Sequence, residues 1–339
     1  MQKFTFSLLV MVFLQACGNK NKIPDTSEIS VQVSIERFDK AFFSLDSNNI
    51  MPGLIRLNQQ FPYFLNDFTA NILGAGPLTD TNAVLPVASR QFLTSYLPVK
   101  DSIELQFDNL DWLENDLRKS LKLLKYYFPK YQLPPKIVSF IGPFDAPGVA
   151  ITRYTLAIGL QLYAGKDFSF YSSVQGQELY PRYISRRFEK PYIVVNCMKA
   201  LAEDLYTDSS GGKPMIDQII QKGKYWWLID RFLPETADSL KTGFTQRQLA
   251  WCKANEGLIW NFILQNNDIY TVDPDLIKNY IGDAPSTDGM PEISPGNIGP
   301  WIGWQIIKKY MENNASVSPE ELMHTGARKI FEDAKYKPK

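Results

Sequence analysis

The side chains of this 339-residue sequence that could perform chemistry are few. Nucleophilic and metal chemistry draws mainly on His, Cys and converging carboxylates. The chain holds one histidine, His324, and three cysteines, Cys17, Cys197 and Cys252. A Ser-His-Asp or Cys-His pair needs an imidazole placed to move a proton. His324 lies in the last predicted helix beside Met323, Thr325 and Gly326, and reads as a surface or helix-end residue. One histidine cannot build a two-histidine zinc motif. Cys197 and Cys252 both fall on predicted helices, and two readings stay open: a disulfide, which an oxidising compartment permits, or two buried thiols acting as small hydrophobes. Ser209-Ser210-Gly211-Gly212-Lys213 is a turn without the spacing of a phosphate loop. The acidic pairs Glu203-Asp204 and Glu320-Glu321 fall on helix exteriors or first turns, where solvation and the helix dipole account for them. No metal and no cofactor is expected.

The elements that would position these residues begin after an export signal. Lys3 is followed by an apolar run from Phe4 to Leu14, interrupted by Thr5 and Ser7. As a helix that run would span about 16 Å, roughly half a bilayer core, so residues 1–16 read as a signal peptide and not as a membrane span. Leu14-Gln15-Ala16-Cys17 resembles the lipobox of bacterial lipoproteins. The resemblance implies a Cys17 carrying a diacylglycerol and a further acyl chain on its amine, and several chains make the anchoring stable. Residues 17–30 read as a lipidated tether. By likeness to Gram-negative lipoproteins, Gly18 after the cysteine points to outer-membrane sorting. Lys20 to Lys22 lacks the acidic export signal of surface lipoproteins, which favours the periplasmic face.

Thirty-six basic and thirty-six acidic residues become 35 and 36 once Lys3 leaves with the signal, a net charge of −1. No basic footprint exists for nucleic acid. With 45% apolar and 21% charged residues the mature chain is globular. Val31 to Glu36 alternates as a strand, and a mainly helical region runs to residue 133, with helices expected over Thr81–Tyr96 and Asp108–Phe128. From Pro134 the period falls to two: Lys136–Ile141, Gly148–Arg153 and Thr155–Leu162. An irregular aromatic loop, Phe168–Pro191, leads to helices over Tyr192–Leu205, Pro214–Phe232, Thr245–Gln265, Pro274–Ile281, Ile298–Asn313 and Ser318–Asp333. Strands grouped before helices argue for α+β, mostly helical with a small mixed sheet.

Two of these helices resemble parts of a gluzincin-type zincin peptidase, which implies a zincin-like α+β region over residues 134–339. In that family HExxH puts two histidines on one helix face, and a later helix supplies a glutamate. Aligned on Tyr192–Leu205, the five motif positions hold Asn196, Cys197, Met198, Lys199 and Ala200, while Glu256 occupies the place of the third ligand. Asn196 and Ala200 replace both histidines, and one carboxylate does not hold zinc, so the resemblance implies an inactive zincin-like protein; the other reading of the two helices is plain helix packing with no zincin ancestry. The alternative is a hydrolase with a carboxylate-based site around Tyr171–Phe188. There Arg182, Arg186 and Arg187 beside Tyr180 and Tyr183 suit an anionic partner or a structural ion-pair network. Gly296, Gly299 and Gly303 fit a helix packed closely on a neighbour.

The lipobox, Tyr180-Pro-Arg-Tyr-Ile-Ser-Arg-Arg-Phe188, Tyr192–Met198, Asn255–Trp260, Ser294–Gly299 with Gly303-Trp-Gln-Ile, and the ending Lys335–Pro338 together resemble the GldB family. These are gliding-motility-associated lipoproteins of Bacteroidetes. The resemblance implies an outer-membrane lipoprotein that supports surface gliding and the linked protein-secretion machinery through contacts with other envelope proteins, without catalysis.

Overall fold

The structure is a computed structural model describing residues 23–80, 84–266 and 269–338. The signal peptide, Cys17 and the first part of the tether lie outside the described residues. Four strands form the sheet: β1 (Ile35–Arg37), β2 (Lys136–Phe140), β3 (Val149–Ile151) and β4 (Thr155–Gly159). Their order is β1-β2-β4-β3, with β1 parallel to β2, β2 parallel to β4, and β3 antiparallel to β4 as the far edge. The sheet is therefore mixed, and the α+β reading holds. The helices of eight residues or more are α1 (Ile50–Gln60), α2 (Val84–Ser95), α3 (Leu97–Gln106), α4 (Asp111–Tyr127), α5 (Tyr192–Leu205), α6 (Met215–Phe232), α7 (Gln246–Ala254), α8 (Glu256–Asn266), α9 (Pro274–Ile281), α10 (Ile298–Asn313) and α11 (Ala327–Ala334).

Side-chain alternation along β2 and β4 divides the core. Ile137, Leu156 and Ile158 join a large helical cluster, while Val138, Phe140 and Ala157 join a second cluster from the N-terminal region. A strand covered on both faces is buried along its whole length, as β4 is. The second cluster is aromatic: Phe38 meets Phe61, Phe64 and Phe68 edge-on at 5.2, 4.9 and 4.8 Å. Such contacts add about 0.5–1.5 kcal/mol each beyond burial. The large cluster takes α4 through Leu113, Leu117, Leu121 and Leu124, the leucine face visible in the sequence. Because β1 and α4 precede residue 134 yet share sheet and core with the residues after it, the two regions are packed as one body around the sheet.

The C-terminal helices are held by a near-contact of backbones. A Cβ on Gly303 of α10 would lie 2.0 Å from the Ile219 carbonyl oxygen of α6, and one on Gly223 would lie 2.2 Å from the Gly303 carbonyl carbon. Only hydrogen fits there. Lys224, one residue on, is buried and donates from Nζ to the Met323 and Thr325 carbonyls at 3.1 and 2.7 Å, closing the helix end at His324.

Several boundaries differ from the sequence reading. The first strand is Ile35–Arg37 rather than Val31–Glu36, because Val33 and its neighbours lie along α4, where Arg118 donates to the Val33 carbonyl. Tether residues from Ile23 onward are also packed: Lys122 donates to the Thr26 carbonyl, and residues 23–27 line a cavity of about 790 Å³ against α4, α5 and α6. The expected irregular loop contains the short helices Ser169–Ser172, Val174–Leu179 and Arg182–Ser185. Thr245–Gln265 breaks at Asn255, whose side chain and backbone both donate to the Trp251 carbonyl. Ser318–Asp333 breaks at Thr325-Gly326.

Candidate functional site

Helix α5 starts after Pro191 and buries Ile193, Cys197, Met198, Leu201 and Ala202. Asn196, Lys199, Ala200 and Glu203 recur at intervals of three and four and so share one stripe. That stripe walls a groove of about 240 Å³ whose opposite side is Gly148 and Val149 at edge strand β3, closed by Leu162, Tyr163 and Phe188. The Asn196 amide donates to the Tyr163 hydroxyl at 2.9 Å. Burial holds the Tyr163 phenol above its ordinary range, so it stays neutral. Cys197 is fully buried and burial pushes its thiol well up, which makes it inert as a nucleophile. Lys199 is half-buried, and desolvation, aided by the charge of Arg187, pulls its ammonium down to about 8. Among the described residues no side chain or carbonyl forms a hydrogen bond or ion pair with it.

Glu256 is engaged elsewhere. It opens α8 and accepts a hydrogen bond from the Tyr336 hydroxyl at 2.7 Å. Trp260 packs edge-on against both Tyr336 and Phe331, at 5.5 and 6.0 Å. Burial, and then the bond to Glu256, drive the Tyr336 phenol far above its ordinary value. The sequence-predicted positions thus part into two places. Asn196, Cys197 and Ala200 stay on α5, and Glu256 is bound into a C-terminal latch. Among the described residues no three His, Cys, Asp or Glu side chains are grouped so as to hold a metal ion.

The remaining candidates are spread over the surface and the core. Cys197 and Cys252 are both free, buried thiols, and burial pushes Cys252 up to about 12. His324 is exposed at a helix end, its ring edge-on to Tyr206 at 5.4 Å, in keeping with a surface role. Arg182 is exposed. Arg186 donates to the Gly243 carbonyl at 2.6 Å, and Arg187 reaches Asp283 at 3.3 Å. Tyr180 donates to the Phe144 carbonyl at 2.9 Å, and Tyr183 lies beside both arginines and Asn297 around a small cleft. Asn297, in a left-handed conformation at φ 58°, donates to the same Asp283 at 2.7 Å. Asp283 therefore ties together Tyr180–Phe188 and Ser294–Gly299, two of the blocks that carry the family resemblance.

A carboxylate pair working as acid and base would need one carboxyl held protonated. Among the described residues every carboxyl with a displaced pKa moves the other way. Asp238 shows the balance: burial pushes it up, but Lys241 and Lys253 outweigh this and bring it down. Asp25, Asp108, Asp208 and Glu321 are lowered too. Sequence reasoning did not single out Lys199, Tyr163 or Tyr336. Lys199 stands four residues before Glu203, a spacing that suggests an ordinary surface pair, and only the fold shows its ammonium unpaired. Among the described residues no helix is long and apolar enough to cross a membrane.

The fold and the site define an α+β protein with a groove between α5 and edge strand β3 that is lined by an amide, an ammonium without a direct partner and a methyl group. The family model of the gliding motility protein GldB matches residues 19–338, and the chain belongs to this lipoprotein family, whose members are membrane-anchored envelope proteins. No curated protein and no solved structure matches it.

Proposed function

We infer that the chain is an outer-membrane lipoprotein, anchored through Cys17 with its folded part in the periplasm. It supports gliding and the linked secretion machinery by binding other envelope proteins. It is a non-catalytic relative of zincin peptidases: α5 lies against an antiparallel edge strand, but the positions of the two histidines hold Asn196 and Ala200. The observation that carries the non-catalytic reading is the commitment of the polar groups at those places. Asn196 donates to Tyr163 and Glu256 accepts from Tyr336, and among the described residues no three His, Cys, Asp or Glu side chains are grouped to complete an ion's ligand set.

The anchor fits the fold. Six residue steps separate Cys17 from Ile23, where the described chain begins, and at 3.3–3.6 Å each they reach at most about 22 Å. The folded part therefore stays near the bilayer. Two measurements test the reading in a gliding host. Labelled palmitate enters the wild-type protein and not Cys17→Ser. Crosslinking in intact cells captures envelope proteins of the gliding apparatus; recovery of the chain alone, with gliding unchanged on its deletion, contradicts the interaction role.

A further inference from the structure

The α5 groove holds a cation that no side chain pairs directly among the described residues, with Asp283 and Glu203 acting on it only from farther off. Lys199 lines the groove beside Asn196 and Ala200, and no hydrogen bond or ion pair reaches its ammonium among the described residues. Arg187 stands close enough for the two charges to oppose each other. The carboxylates facing this corner do not settle the balance. Asp283 is shared by Arg187 and Asn297, Glu189 is paired with Lys166 at 3.5 Å, and Glu203 is exposed at the groove mouth. Arg186 spends its guanidinium on a backbone carbonyl, which cancels no charge. An anion entering the groove would meet Lys199 in a desolvated setting, where a charge-assisted bond is strong.

The groove's other wall states what kind of molecule carries that anion. β3 pairs with β4 on one side, and no hydrogen bond from another element covers its outer edge among the described residues. An edge with free N–H and C=O groups accepts an extended segment, which gains main-chain bonds from the strand and specificity from a neighbouring pocket. A volume of about 240 Å³ admits a single side chain and excludes a folded element.

We propose that the groove between β3 and α5 binds an extended peptide segment of a partner, which pairs with the free edge of β3 and sets an acidic side chain against Lys199. This rests on the reading of the chain as a protein-binding component and names the chemistry of the bound segment. A neutral segment leaves Lys199 as it was, and a basic one adds a third cation beside Lys199 and Arg187.

The test is titration calorimetry of the lipidated protein in detergent with Ac-Val-Glu-Val-Glu-Val-amide, its Gln analogue, and a backbone N-methylated form. The acidic peptide should bind at least tenfold more tightly than the Gln analogue, and N-methylation should abolish binding. Lys199→Gln should lose about tenfold in affinity and Lys199→Arg should retain most of it. Removing an unpaired cation leaves the fold intact, so circular dichroism of Lys199→Gln should match the wild type. Equal binding of the acidic and neutral peptides, no binding of either at millimolar concentration, or an unchanged Lys199→Gln affinity overturns the proposal. Gliding separates the two levels. If deletion abolishes gliding while Lys199→Gln restores it fully, the groove assignment fails and the interaction role stands; if deletion has no effect, the interaction role fails.

Discussion

Two charged groups, Glu256 at the start of α8 and Lys199 on α5, are treated by the chain in opposite ways. Glu256 is tied down: it accepts the Tyr336 hydroxyl, whose ring packs on Trp260, itself against Phe331. Lys199 is left open, half-buried and unbonded in the groove wall. A half-buried charge that is bonded internally contributes to the fold. A desolvated charge that is unsatisfied costs stability, and it recovers that cost only when something binds. The latch is thus architecture, and the groove is the place where function can reside.

The largest effect should come from the latch. Tyr336→Ala removes both the ring packed on Trp260 and the hydrogen bond to Glu256, and should lower stability by about 3 kcal/mol in urea unfolding. Tyr336→Phe keeps the ring and isolates the hydrogen bond, for a loss of about 1.5–3 kcal/mol. A loss below about 0.5 kcal/mol in both variants would remove the contrast between latch and groove.

The groove should respond with the opposite sign. Lys199→Met deletes a cation that folding desolvates, so stability at pH 7 should rise by about 1 kcal/mol. The pH dependence sharpens this. Lys199 and Lys224 both fall to about 8 from 10.5. Between those values the unfolded chain holds more protons than the folded one, so stability climbs as pH rises through the window. Below about 8 the whole penalty is present. Lys199→Met should make the climb shallower, and an unchanged slope would mean that Lys199 is solvated or paired in solution.

The thiols give a smaller signal. With Cys197 and Cys252 buried and raised in pKa, Ellman's reagent should find neither in the native protein and both after unfolding. An unfolded protein that yields none without reductant would instead reveal a disulfide. The smallest effect belongs to an exposed pair outside both regions: Glu332→Gln breaks its contact to Arg328 at 3.0 Å and should change stability by less than about 0.5 kcal/mol.

Legibility in the sequence tracks the length of its patterns. α5 and α10 run over the predicted residues because Pro191 and the Ser294–Gly299 loop mark their starts and long apolar stripes fill them. β2 and β4 fall within the period-two runs Lys136–Ile141 and Thr155–Leu162. The helices within Phe168–Pro191 are four to six residues long, too short to show a helical period. The break at Asn255 depends on side-chain bonding to Trp251, which no Gly or Pro announces. At the site, the residue types of Asn196 and Ala200 are legible, since they need no neighbour to be read. The Tyr336 partner of Glu256 stands 80 residues away, and the solitude of Lys199 depends on which neighbours the fold brings or withholds. Such relations belong to tertiary structure.

The central claim is that this groove recognises and does not hydrolyse. Metal analysis of the mature protein, purified from its host without chelator and dialysed against zinc-free buffer, tests it most directly. The account predicts far less than one zinc per chain, unchanged by Glu256→Gln. One tightly held zinc per chain that disappears in Glu256→Gln would contradict it.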